Sequence, residues 1–88
     1  MLLNYQQIYD VTKTFLDSRN KEGVYIHRAT EITSVLTDYI DLVHLAQHLQ
    51  TTLGLALPLD FPFYGLTLGD LPDSILDYNA EHLLVGVE

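Results

Sequence analysis

The chain has 88 residues, no cysteine and a formal net charge of -8, a length that suits one small domain over residues 1–88. Without cysteine there are no disulfides, no thiolate-ligated zinc and no cysteine nucleophile. All four basic residues (Lys13, Arg19, Lys21, Arg28) precede residue 29, while nine acidic residues follow from Glu31 onward; this excludes nucleic acid as an expected partner, because phosphate contacts need a basic face.

The opening residues, Met1 to Gln6, carry no basic run leading into an apolar stretch, so no secretory leader is expected there. No segment approaches the roughly 18 apolar residues of a membrane span. A soluble cytoplasmic protein with no membrane partner is the expectation. The acidity favours a protein partner with a basic patch, although charge of this size also serves solubility alone.

The first predicted helix runs from Tyr5 to about Leu16, with Ile8, Val11 and Phe15 on one face. The polar run Asp17–Gly23 is expected to end it. From Val24 to Thr37 no period holds. Val24–Ile26 reads as briefly extended, and Ile32, Val35 and Leu36 read as anchors of a long loop.

The strongest helix signal begins at Tyr39. Asp38 suits the N-cap and Asp41 the N3 position, where negative charge opposes the helix dipole. Leu42, Leu45, Ala46, Leu49 and Leu53 form its apolar stripe, and Gly54 is a C-terminal stop. Leu55–Pro58 then crosses to a short helical turn, with Asp60 as cap, Pro62 in its first turn and Gly65 at its end. The last helix is expected from Leu71 to about Tyr78. Asp70 is preferred over Thr67 as its cap, because Pro72 then falls where no hydrogen bond is lost; Ile75, Leu76 and Tyr78 supply its buried face. The apolar end after residue 79 (Leu83, Leu84, Val85, Val87) either packs back or frays. The sum is an all-α bundle of three main helices and one short one, with a long loop between helices one and two.

Certain short motifs stand in fixed register: Asp38-Tyr39-Ile40-Asp41, Val43-His44-Leu45, Leu53-Gly54, Leu57-Pro58 and Thr67-Leu68-Gly69-Asp70. Together, from about Leu36 to Asp77 and without a gap, they resemble the acyl carrier protein family; helix one and the loop match only in character. The resemblance implies a four-helix bundle whose second helix opens with a serine carrying a 4'-phosphopantetheine arm, on which acyl groups travel as thioesters. Here Tyr39 occupies the serine's position. Its phenolic oxygen stands at the end of a rigid ring, a poor fit for a transferase pocket built around serine. The expected outcome is an unmodified Tyr39 and no phosphopantetheine cofactor, since Ser18, Ser34 and Ser74 lack the matching frame.

The family's second helix is also usually acidic and docks on basic partner surfaces. Here only Asp38 and Asp41 remain near its start, while Asp70, Asp73, Asp77 and Glu81 gather on and after the last helix. A basic partner is therefore expected to use that later region more than helix two. The resemblance further implies that acyl chains lie between helices two and three, the neighbourhood of Phe61, Phe63 and Tyr64; side chains of this size are expected to fill the space as core.

Asp41, His44 and His48 share one helix face at i, i+3 and i+7, a spacing that suits zinc if His27 or His82 completes the set. The competing reading is a solvated polar stripe. No nucleophile elbow, phosphate loop or metalloprotease motif is present, so no enzymatic activity is expected. Three functions stay open: a carrier-like module acting through protein contacts in a fatty-acid, polyketide or related pathway; a true carrier whose acceptor serine was exchanged by design or lies elsewhere; and a small metal- or apolar-ligand-binding protein.

Overall fold

A computed structural model describes residues 4–55 and 57–87, with side chains through Ala80. Among these residues the chain is all-α, with α1 (Tyr5–Arg19), α2 (Ile32–Val35), α3 (Tyr39–Leu53) and α4 (Leu71–Val87). Among the described residues no helix is long and apolar enough to cross a membrane. The central element is α1, which packs against each of the other three.

Helix α1 starts at a capping box. The Asn4 side chain accepts from the Gln7 N–H at 2.9 Å, and the Gln7 side chain accepts from the Asn4 N–H at 3.1 Å, so two otherwise orphaned donors are satisfied. Ile8, Thr12, Phe15 and Leu16 are buried and Val11 is half-buried. The helix ends at Arg19, inside the polar run expected to end it and three residues beyond Leu16. Asp17 is held inside by an i,i+4 pair with Lys13 (3.1 Å), and the Ser18 hydroxyl donates to the Phe15 carbonyl.

One core hydroxyl has no partner. Thr12 is fully buried, and its Oγ1 meets no hydrogen-bonding group among the described residues. A buried unsatisfied hydroxyl costs about 1–3 kcal/mol. Thr12→Val keeps the shape and removes that group. We expect it to stabilise the fold by about 1 kcal/mol, read as a higher urea midpoint at unchanged slope. A lower midpoint would show that the hydroxyl is satisfied in solution.

The long connection after α1 is anchored as expected: Ile32 and Leu36 are fully buried and Val35 is half-buried, while of Val24–Ile26 only Ile26 is buried. The anchors do so as a helical turn, α2, rather than as irregular chain. The short helix expected at Asp60–Gly65 does not form. That segment makes two separate turns, Phe61 N–H to the Pro58 carbonyl (3.2 Å) and Leu66 N–H to the Phe63 carbonyl (3.2 Å). Pro62 biases Phe61 away from the helical region. The bundle therefore has three long helices and one short one, but the short one lies before α3 instead of after it.

Helix α3 buries Leu42, Leu45, Ala46 and Leu49, and it ends at Gly54 in the left-handed region (φ 66°). Helix α4 begins at Leu71, so Pro72 falls in the first turn and costs no bond, as expected. Leu71 and Ile75 are buried, and Leu76 and Tyr78 are half-buried. The helix runs past Tyr78 to Val87; the side chains of Glu81, His82, Leu83, Leu84, Val85 and Val87 lie outside the described residues.

Between α3 and α4, Leu55, Leu57, Phe61 and Phe63 are buried. Phe61 meets Phe63 and Tyr78 edge to face, at centroid distances of 5.1 and 5.9 Å. These rings fill the core as expected, whereas Tyr64 is exposed.

The loop ends are tied by a short antiparallel bridge between Glu31 and Thr67. Leu68 and Gly69 donate to the Thr30 and Arg28 carbonyls at 2.8 and 2.9 Å, and Ile32 donates to the Leu66 carbonyl at 3.0 Å. Arg28 lies over the rings of Tyr5 and Tyr9 (5.4 and 5.1 Å) and donates to the Tyr5 hydroxyl, which donates onward to the Gly69 carbonyl (both 2.7 Å). The starts of α1 and α4 are thereby clamped to the loop.

Candidate functional site

The start of α3 gathers the residues singled out in the sequence. Leu36 is buried, and after it the chain emerges through Thr37 and Asp38 to the first helical residue, Tyr39. Tyr39 is 59% exposed and Ile40 65% exposed, because the register that buries Leu42, Leu45, Ala46 and Leu49 turns both away from the core.

Asp38 holds the N-cap position, but its side chain makes no capping bond. Its carboxylate lines an open cleft of about 370 Å³ between the C-terminal end of α1 and the first turn of α3, together with Arg19, Asn20, Lys21, Glu22 and Asp41. Cations and carboxylates thus face one another across the cleft, and water reaches both.

Asp41 is engaged there. It pairs with Arg19 at 3.1 Å, both side chains being partly exposed. A pair this exposed contributes at most about 1 kcal/mol, so its main effect is orientation: it turns Asp41 toward α1. The Arg19 guanidinium also lies 4.9 Å from the Phe15 ring centroid, and the His48 ring lies 5.4 Å from the same ring.

The Asp41–His44–His48 stripe is divided by this arrangement. Asp41 faces Arg19, the His48 ring lies tilted against Phe15, and His44 is exposed. His27 stacks on Tyr25 at 5.2 Å, and its Nδ1 accepts from the Ala29 N–H. Among the described residues no three His, Asp or Glu side chains stand together as metal ligands; the His82 side chain lies outside them.

The acidic residues of α4 form a second location. Asp70, Asp73 and Asp77 are all exposed, and their i, i+3, i+7 spacing puts them along one side of the helix. The Asp70 N–H is held by Thr67 Oγ1 at 3.2 Å. None of the three is in an ion pair among the described residues. The structure therefore brings Asp38, Tyr39 and Asp41 together and keeps Asp70, Asp73 and Asp77 on another helix.

Sequence reasoning missed Arg19, Lys21 and Glu22 as neighbours of the α3 start. Their position after a heptad-like apolar run gave no sign that α1 would end opposite Asp38. It also missed the capping box, although Asn4 and Gln7 carry its spacing openly. The chain matches no family model, no curated protein and no solved structure.

Proposed function

We propose that this chain is an acyl-carrier-like module without a phosphopantetheine arm, acting through protein contacts in a fatty-acid, polyketide or related pathway of the cytoplasm. The observation that carries the reading is the exposed position of Tyr39 as the first residue of α3, in the frame where carriers hold their acceptor serine. Further support comes from the αL glycine closing α3, the long connection before it and the Thr67–Asp70 step into α4. The short helix before α3, and its absence over 60–65, depart from the family's pattern and belong to the same test.

In this reading no covalent chemistry takes place on the chain. The phenol of Tyr39 offers contact area and a hydrogen bond in place of an acceptor hydroxyl. Asp70, Asp73 and Asp77, exposed and in no ion pair among the described residues, meet the basic side chains of a protein partner, with Asp38 and Asp41 as a smaller second contact. Such contacts set association rate and salt dependence more than affinity.

The test is intact-mass spectrometry after co-expression with a broad-specificity phosphopantetheinyl transferase. The natural chain is expected to show no added mass, and Tyr39→Ser to gain one arm mapped to residue 39. An arm on the natural chain overturns the loss of carrying. A Tyr39→Ser chain that folds and stays unloaded overturns the carrier-like surface.

A further inference from the structure

The cleft between the end of α1 and the start of α3 holds about 370 Å³, near the small end of the range for ligand sites. Its charged groups are only partly matched to one another. Arg19 and Asp41 are joined in their 3.1 Å pair. The Lys21 ammonium and the Glu22 and Asp38 carboxylates line the same cleft and are in no ion pair among the described residues. The Asp38 side chain makes no capping bond either. One cation and two carboxylates therefore face one small space, each with its hydrogen-bonding capacity open to a ligand.

The walls of the cleft are held in place. On the α1 side, the Asn20 side chain donates to the Val24 carbonyl at 2.6 Å and accepts from the Val24 N–H at 3.1 Å. This closes the turn that carries Lys21 and Glu22. On the α3 side, buried Leu36 and the first helical turn fix the backbone of Asp38. Val24 and Val35 add apolar surface to the lining, which suits a short aliphatic stem between charged groups.

The geometry points to this cleft as a binding site for a free basic amino acid of the lysine type. Its carboxylate meets Lys21, its two ammonium groups meet Asp38 and Glu22, and its aliphatic chain lies against Val24 and Val35. The charges balance. Two cations and three carboxylates line the cleft, one negative charge in excess, and a basic amino acid carries one positive charge in excess. A simple anion would be repelled by that excess, and a simple amine would leave Lys21 unmatched. The net charge of -8 on the whole chain adds attraction for a ligand that is cationic overall.

Exposure sets the strength. Lys21, Glu22 and Asp38 are all exposed, so each ion pair with a ligand is expected to contribute at most about fivefold in affinity. A dissociation constant on the order of 1 mM follows from a few such contacts. This inference is independent of the carrier-like reading, since it concerns a small ligand and its test involves no transferase.

Amide NMR titration of the full chain with L-lysine at low salt, from about 0.1 mM to about 20 mM, brackets an equilibrium of this strength. Saturating shifts are expected at residues 19–24 and 34–41. L-Norleucine, the same length without the side-chain ammonium, is expected to bind about two- to fivefold more weakly. Asp38→Asn, which keeps an equally good N-cap, is expected to weaken lysine binding by a similar factor. Lys21→Gln is expected to do the same for lysine while leaving cadaverine, the same chain without the carboxylate, unweakened. The amide spectra of the variants check that the fold is intact. Absence of a saturating shift at the cleft overturns the proposal. So do shifts gathered on Asp70, Asp73 and Asp77, which would show only a general attraction of cations to acidic surface. Norleucine binding as tightly as lysine also overturns it. If Lys21→Gln leaves lysine binding unchanged, or weakens cadaverine as much as lysine, the carboxylate contact does not exist; the cleft then takes an ammonium alone, such as a lysine side chain of a protein partner, and the proposal falls.

Discussion

Phe63→Ala is expected to destabilise the fold by about 3–5 kcal/mol, the range for emptying a buried aromatic site. Phe63 is the largest fully buried side chain of the core, and it meets Phe61 edge to face at 5.1 Å. A domain of this size has roughly 5–15 kcal/mol of total stability, so the change removes a large share of it. Urea unfolding followed by helical circular dichroism gives the number. Tyr64→Ala, one residue on and exposed, is the control and is expected to fall within about 0.5 kcal/mol of the natural chain. A loss below about 1 kcal/mol at Phe63 would mean that the 58–66 segment is not packed in solution as described. The space between α3 and α4 would then be open to an apolar ligand.

Gly69→Ala carries the second large effect, and here two influences oppose each other. Alanine restricts the unfolded chain and by that alone stabilises by about 0.4–1 kcal/mol. In the folded chain its Cβ would stand 3.1 Å from the Arg28 carbonyl oxygen and 3.3 Å from the Arg28 Cβ. Arg28 has little freedom to withdraw. Its carbonyl accepts from the Gly69 N–H at 2.9 Å, and its guanidinium is held over Tyr5 and Tyr9 and against the Tyr5 hydroxyl. Overpacking against a fixed neighbour costs about 1–3 kcal/mol, so the steric cost outweighs the chain-entropy gain. We expect a net loss of about 1–2 kcal/mol and a fall in Tm of about 4–8 °C for each kcal/mol. Scanning calorimetry reads it directly. A rise in Tm would show that the loop around Arg28 yields.

The two predictions separate two kinds of information. Phe63 was legible: an aromatic cluster between helix signals is core more often than a site, and the structure buries it. Gly69 was legible only as part of a short motif. The reason glycine is needed there lies 41 positions away in sequence, in the backbone of Arg28. No local pattern encodes a contact of that span. The same holds for Thr12, whose position on the apolar face of α1 is periodic while its lack of a partner depends on what packs over it.

The misplaced short helix has a different cause. Asp60, Pro62 and Gly65 looked like a cap, a first turn and a stop, each acceptable locally. Four residues between cap and stop leave one hydrogen bond to offset the cost of nucleation, and Pro62 biases Phe61 away from the helical region. At Ile32–Val35 no comparable signal exists, yet burial of Ile32 and its N–H bond to the Leu66 carbonyl supply what local propensity does not.

By itself the sequence determined the all-α class, the span and buried stripe of α3, the glycine that ends it and the proline-compatible start of α4. All of these follow from periodicity and end signals acting within a few residues. Only the tertiary structure decided that Asp41 faces Arg19, so that the Asp41–His44–His48 stripe is divided, and that Arg28 is clasped by two tyrosines beneath Gly69. Those outcomes depend on which elements come to lie side by side, and packing against the central helix α1 sets that.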